Sequence, residues 1–180
     1  QLLGDIATVI DFVSSKLRFM EAREYIEVLF GEPRDKQKHL VSLLGPHIKQ
    51  LEEKALKIAN SAVTKEMLGK VTLQILPIEE TFSRGAYPKP GKVVGLVHDH
   101  AQVEGKLTKV VSIGLLQDAI TIRATDDAQF SVQEFIKSLH KKLPEAFVEG
   151  GGHKNAGSIK FVPNKQKQVL QLLKEFIKSR

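Results

Sequence analysis

The chain of 180 residues reads as an α/β protein, a helical N-terminal connector followed by a mixed β-sheet domain flanked by helices. Two observations predict this. Apolar residues recur at helical spacing from Leu2 to about Leu68, and near Gly69 the period drops to two, after which strand-like and helix-like stretches alternate. The boundary is accordingly set between a helical segment, residues 1–69, and an α/β domain, residues 70–180. The length suits one domain, or one domain with a helical extension, and can bury a sizeable core.

Ile6, Val9, Ile10, Val13, Leu17 and Met20 share a helical stripe, continued by Tyr25, Ile26, Leu29 and Phe30 until Gly31-Glu32-Pro33 stops it. A long helix follows. Leu40, Leu43, Leu44, Ile48, Leu51, Ala55, Ile58 and Ala62 form its apolar stripe, and Gly45-Pro46 marks a kink or a break. The alternating, β-branched VTLQILPI of residues 71–78 is a strand, and residues 82–90, with Gly85, Pro88 and Pro90, are a loop. KVVGLV, residues 92–97, fits a buried strand or the first turns of a helix. KVVSIGL and AITIRAT are two strands joined at Gln117-Asp118. Ser131 with Glu134 three places on is a capping box opening a helix that buries Val132, Phe135, Ile136 and Leu139 and ends at Leu143-Pro144. SIKFV, residues 158–162, is a short strand, and Pro163 opens a last helix with Val169, Leu170, Leu172, Leu173, Phe176 and Ile177 inside.

A formal charge of +6 favours a polyanionic partner, although lysines spread over helix faces would produce the same total. The absence of cysteine excludes a disulfide framework, a thiolate zinc site and a cysteine nucleophile, and fits a reducing, cytoplasmic setting. No apolar run is long enough for a membrane span and no signal peptide opens the chain, so a soluble protein without a membrane partner is expected. Gln1 in place of Met suggests a piece of a longer or processed chain.

Three candidates carry chemistry. The stretch Glu149 to Gly157, EGGGHKNAG, reads as a loop whose glycines leave N–H groups uncovered beside the imidazole of His153 and the cation of Lys154. That is the chemistry of an anion cradle; a glycine-rich turn with a polar tip is the other reading. GGGHK lacks the Ser/Thr of a P-loop, which argues against a nucleotide triphosphate site. Arg123, with Thr121 and Thr125 at period two, would put a planar guanidinium fork and two hydroxyls on one strand face, a phosphate clamp or a surface salt-bridge partner. His98-Asp99-His100 resembles a metal motif only if it is a strand, since on a helix the two imidazoles point apart. Nothing completes a two-metal or triad site.

The order of Pro90 to Val97, then KVVSIGL, then a strand ending Ile-Arg-Ala-Thr, then a helix and GGGHKNAG, resembles the DHH-associated C-terminal domain of the DHH phosphoesterase superfamily. Members include RecJ-like single-strand exonucleases and nanoRNA-degrading phosphatases. The resemblance covers roughly residues 70–180 and rests on the GGH motif with Ala156 and Gly157, supported by Arg123. It implies that this domain binds a single-stranded substrate or its phosphate end, while a separate preceding domain holds manganese. Carried over by residue, Arg123 matches the family's strand arginine, Gly151, Gly152 and His153 its GGH, and Lys154 and Asn155 its variable positions.

No DHH triplet occurs in the chain. Gln1 to Asp11 resembles the far end of the catalytic domain, with either Asp5 as a metal ligand or Thr8 in its place. One carboxylate cannot hold two metals, so no catalytic or metal residue is assigned here, and manganese is expected only in a full-length active parent. The resemblance therefore implies binding of single-stranded DNA or short RNA through Arg123, Gly151, Gly152, His153 and Lys154. The alternative it carries is a catalytically dead RecJ-like homologue acting as an interaction protein beside the GINS complex of the replication machinery. The editing domain of alanyl-tRNA synthetase has a related C-terminal unit, but its glycine run lacks this histidine.

Overall fold

The computed structural model describes residues 1–17, 19–31 and 33–180, with side chains described at all of these except 19–21, 24 and 28. Two compact units emerge: Gln1–Lys57 with Gly85–Lys89, and Ile58–Arg84 with Pro90–Arg180.

The first unit contains α1 (Leu2–Lys16), α2 (Phe19–Gly31) and most of α3 (Arg34–Ala62). Its core is made of Val9, Phe12, Val13, Ala22, Leu29, Leu40, Ile48 and Tyr87. Phe12 meets the Tyr87 ring edge-on at 5.2 Å, and the Tyr87 hydroxyl donates to Glu52 Oε1 at 2.9 Å. Burial, then that carboxylate, raise the phenol's pKa well above its ordinary value. The Met20 side chain and Glu32, placed in the expected helix and its stop, lie outside the described residues. No break forms at Gly45-Pro46: α3 runs through Pro46 as one helix. Proline removes a single donor while keeping a helical φ, and Leu40 and Ile48, buried on either side, hold the element together. Leu43 and Ile58, expected in the buried stripe, are exposed.

The second unit is a six-stranded mixed sheet of order β1-β2-β3-β4-β6-β5, formed by β1 (Thr64–Leu68), β2 (Val71–Pro77), β3 (Val110–Leu115), β4 (Ala119–Ala124), β5 (Glu149–His153) and β6 (Ala156–Lys160). Strands β2 and β3 run parallel, and the other neighbouring pairs are antiparallel. Parallel neighbours need a crossover, and α5 (Pro90–Val103), after the single turn α4 (Ile78–Thr81), lies on it. The stretch at 92–97 that fitted either type is thus helical. One face of the sheet carries Leu73, Val111, Ile113, Ile120, Ile122 and Ile159 into a core shared with Phe135 and Leu139 of α6 (Val132–Lys142) and Val169 and Leu173 of α7 (Gln166–Lys178). The Ser131 hydroxyl accepts from Glu134 N–H at 3.3 Å, capping α6 as its spacing predicts.

Three readings need correction. The sheet begins at Thr64, before the change of period seen near Gly69, because the edge strand β1 is exposed at four of its five residues and shows no apolar alternation. The strand expected at 158–162 starts earlier, at Ala156. The run Glu149–His153 is not a loop but strand β5, paired along its length with β6 and closed by a tight turn at Lys154-Asn155.

Candidate nucleic-acid interface

Residues paired across neighbouring strands project from the same face of a sheet. Gln74 of β2 pairs with Ser112 of β3, Ser112 with Arg123 of β4, Arg123 with Ala156 of β6, and Ala156 with His153 of β5. The sheet therefore carries one transverse row of largely polar residues. A parallel row, two residues along, consists of Gly114, Thr121, Ser158 and Gly151. Both rows face α5, because a Cβ on Gly114 would meet Val94, and one on Gly91, in the first turn of α5, would lie 3.7 Å from Thr121 Cγ2. α5 packs on β3 and β4. Beyond it Ser158, Gly151 and His153 are exposed, while Thr121, Arg123 and Ala156 are half-buried. These six residues form an open polar floor on β4, β6 and β5.

Arg123 is held by its strand neighbours, and its Nη1 donates to the Ile122 carbonyl at 3.2 Å, which leaves most of its fork available. His153 is two strands away on the same row, about 10 Å between backbones at ordinary strand spacing. Only the methyl of Ala156 stands between them on that row. Long side chains can converge over such a gap, and the residue between them on the row is neither bulky nor acidic.

The three glycines are not equivalent. A Cβ at Gly150 would strike the Ser158 carbonyl and Ile159, and one at Gly152, whose φ is +145°, would strike the Ala156 carbonyl. Both are required by the close approach of β5 to β6. Gly151 has nothing within 4 Å of its missing Cβ. Opposite Gly152, a Cβ on Gly157 would meet the Gly151 carbonyl at 2.5 Å and Val132 Cγ1 at 2.8 Å. As an edge strand, β5 has no further strand on its outer side.

The hairpin is fixed from below by α6. Val132 N–H donates to the Lys154 carbonyl at 2.9 Å, and Gln133 Nε2 donates to the Gly152 carbonyl at 3.3 Å. Asn155 is bound into the same corner through Ala124 N–H to its carbonyl at 2.8 Å and its own Nδ2 to Asp126 at 2.6 Å. Lys154 stays exposed at the tip.

Of the expected strand row, Thr121 and Arg123 share the floor but Thr125 does not join them. β4 ends at Ala124, and the Thr125 hydroxyl accepts from Val110 N–H at 3.0 Å. The His98-Asp99-His100 triplet lies on α5, so His98 is buried while Asp99 and His100 are exposed, and the metal reading fails on geometry. His98 instead bonds Ser112, and Ser112 bonds Gln74. Gln74 and Ser112 were not among the expected site residues; the available signal was a polar residue inside each apolar strand, Gln74 two places after Thr72 in β2 and Ser112 alone in β3.

Among the described residues no group of three or more histidines and carboxylates could hold a metal ion. Among the same residues no helix is long and apolar enough to cross a membrane. What the floor offers chemically is donors for anionic oxygen, with no nucleophile and base in contact.

No family model matches the chain. It is 29% identical to an uncharacterised protein of Methanocaldococcus jannaschii over 99% of the chain and 25% of that protein. Among solved structures, the DHH domain of a member of the s1p family of ribosomal proteins superposes with a TM-score of 0.85 at 32% identity, over 97% of this chain and 41% of that one. RecJ from Thermus thermophilus, solved with Mn2+, superposes at 0.55 with 19% identity, over 97% of this chain and 24% of that one, a likeness of fold. The chain thus spans a quarter of its curated relative and less than half of these structures. Its structural neighbours are DHH-domain proteins, as the motif order implied.

Proposed function

We propose that this chain, whose fold is that of DHH-domain proteins of the RecJ type, binds the phosphate backbone of single-stranded nucleic acid on the floor formed by β4, β6 and β5. One observation carries the reading: Arg123 and His153 stand on one cross-strand row, beside α5, separated by a single methyl group. The guanidinium supplies a planar fork to two phosphate oxygens, and the imidazole supplies a further donor from the opposite side. Gly151, on the next row of β5, keeps the floor low beside them. Lys154 at the hairpin tip and Lys160, exposed on the same face, attract the strand electrostatically.

Recognition of this kind reads the backbone and leaves the bases outside. Binding of a labelled single-stranded oligonucleotide, measured by fluorescence anisotropy, is expected to weaken about tenfold or more in Arg123→Ala, the scale of a lost hydrogen bond to a charged group. His153→Ala is expected to weaken it in the same direction. Unchanged affinity in both variants would remove the floor from the account.

A further inference from the structure

On the α5 side of the sheet, beside the floor, lies a chain of buried polar groups that the proposed contacts leave unused. Gln74 is 2% exposed, Ser112 1% and His98 5%. His98 Nδ1 and Ser112 Oγ are 2.9 Å apart, and the Ser112 hydroxyl donates to Gln74 Oε1 at 2.8 Å. A hydroxyl has one proton, and here it goes to Gln74. The other bond must therefore run from His98 Nδ1–H to Ser112 Oγ, so the neutral imidazole is the Nδ1–H tautomer with its lone pair on Nε2. A second proton can add to Nε2 without disturbing either bond.

Ser112 is the cross-strand partner of Arg123, which brings the guanidinium and His98 onto the same part of this face. Resting on the reading of Arg123 as a phosphate ligand, we propose that His98, bonded to the cross-strand partner of Arg123, is a proton-accepting group coupled to phosphate binding there. It is aimed by Ser112 and Gln74, it stays neutral so that it adds no second positive charge beside the guanidinium, and it gains its second proton when phosphate charge arrives. Two charged groups act on the imidazole: Asp99, its neighbour on α5, favours protonation, and Arg123 of β4 opposes it, while burial opposes it more than either. Ser112 and Gln74 carry no charge. The free group thus titrates below its ordinary value. A phosphodiester on Arg123 offsets the guanidinium's repulsion and raises the pKa again. The bound state then holds more protons than the free state, so affinity rises as pH falls through the window between the two values. That rise is at most about tenfold for each unit by which binding lifts the pKa.

The test uses the full 180-residue chain with His153→Gln, which removes the exposed imidazole, and a labelled oligothymidylate without a terminal phosphate, so that the ligand has no ionisation in the range. Binding is expected to tighten roughly three- to tenfold from pH 7.5 to pH 5 at constant ionic strength. His98→Asn in this background keeps an N–H donor for Ser112 but cannot titrate; it is expected to lose the acid rise between pH 7.5 and pH 5. The unsubstituted protein supplies a second readout. Its His98 nitrogen NMR signals, followed through a pH titration, should report the neutral Nδ1–H form in the free protein and a titration midpoint that moves up when the oligonucleotide is bound. A flat profile in the parent, an acid rise that survives His98→Asn, or an Nε2–H tautomer overturns the inference. If Arg123→Ala leaves binding unchanged, the reading of the floor fails and this inference with it. If that variant weakens binding while the pH profile stays flat, this inference alone is lost.

Discussion

Within Gly150-Gly151-Gly152 each residue answers to a different constraint. The main chain at Gly152 lies at φ +145°, a region nearly closed to side chains, and at Gly150 β6 is too close for a Cβ. Gly151 is free of both demands and faces the floor, so its smallness serves what lies above it. Gly152→Ala is therefore expected to destabilise the fold by about 1–3 kcal/mol, measured by thermal or urea denaturation. Gly151→Ala should leave stability nearly unchanged, and Gly151→Val should weaken oligonucleotide binding. Ser112→Ala tests the buried chain in the same way. It strands the His98 donor and the Gln74 acceptor, at a cost of about 1–3 kcal/mol. His98 also ties stability to pH. Its folded pKa lies below the unfolded value of 6.5, so the unfolded chain binds the extra proton first, and stability falls as pH drops below about 6.5. His98→Asn should flatten that acid limb of the stability profile.

At the scale of elements, the β5–β6 hairpin and the start of α6 form one corner. Ser131 caps the helix whose first residues bond the hairpin's carbonyls, so Ser131→Ala should lower stability by about 1 kcal/mol. Ala156→Leu puts bulk on the row between Arg123 and His153 while keeping a paired strand position; binding should fall with little change in the thermal transition. The cap was legible because a capping box is a local pattern four residues long. Strand β4 was legible for a similar reason, since AITIRA alternates and its burial follows suit. Strand β5 was not, because glycine has low strand propensity and the extended form of EGGGH comes from pairing with β6. The residues of the site could be named from the motif, yet the row joining Arg123 to His153 through Ala156 depends on register between strands far apart in the chain. The same holds for Gln74, Ser112 and His98. No spacing in the sequence records those partnerships.

For the molecule as a whole, the net charge of +6 becomes informative only when combined with a defined anion site. Lysines elsewhere can attract a polyanion, but they do so without fixing a phosphate in one geometry. The two effects separate by comparing single substitutions on the floor with their combination. A double-mutant cycle on single-stranded oligonucleotide binding, with Arg123→Ala, His153→Ala and both together, measures whether the two side chains hold the same phosphate across Ala156. Groups sharing one ligand are expected to be non-additive, with a coupling of about 0.5–3 kcal/mol at low salt. Losses that add to within about 0.5 kcal/mol would mean that the residues act independently, and would contradict a single phosphate seat between β4 and β5.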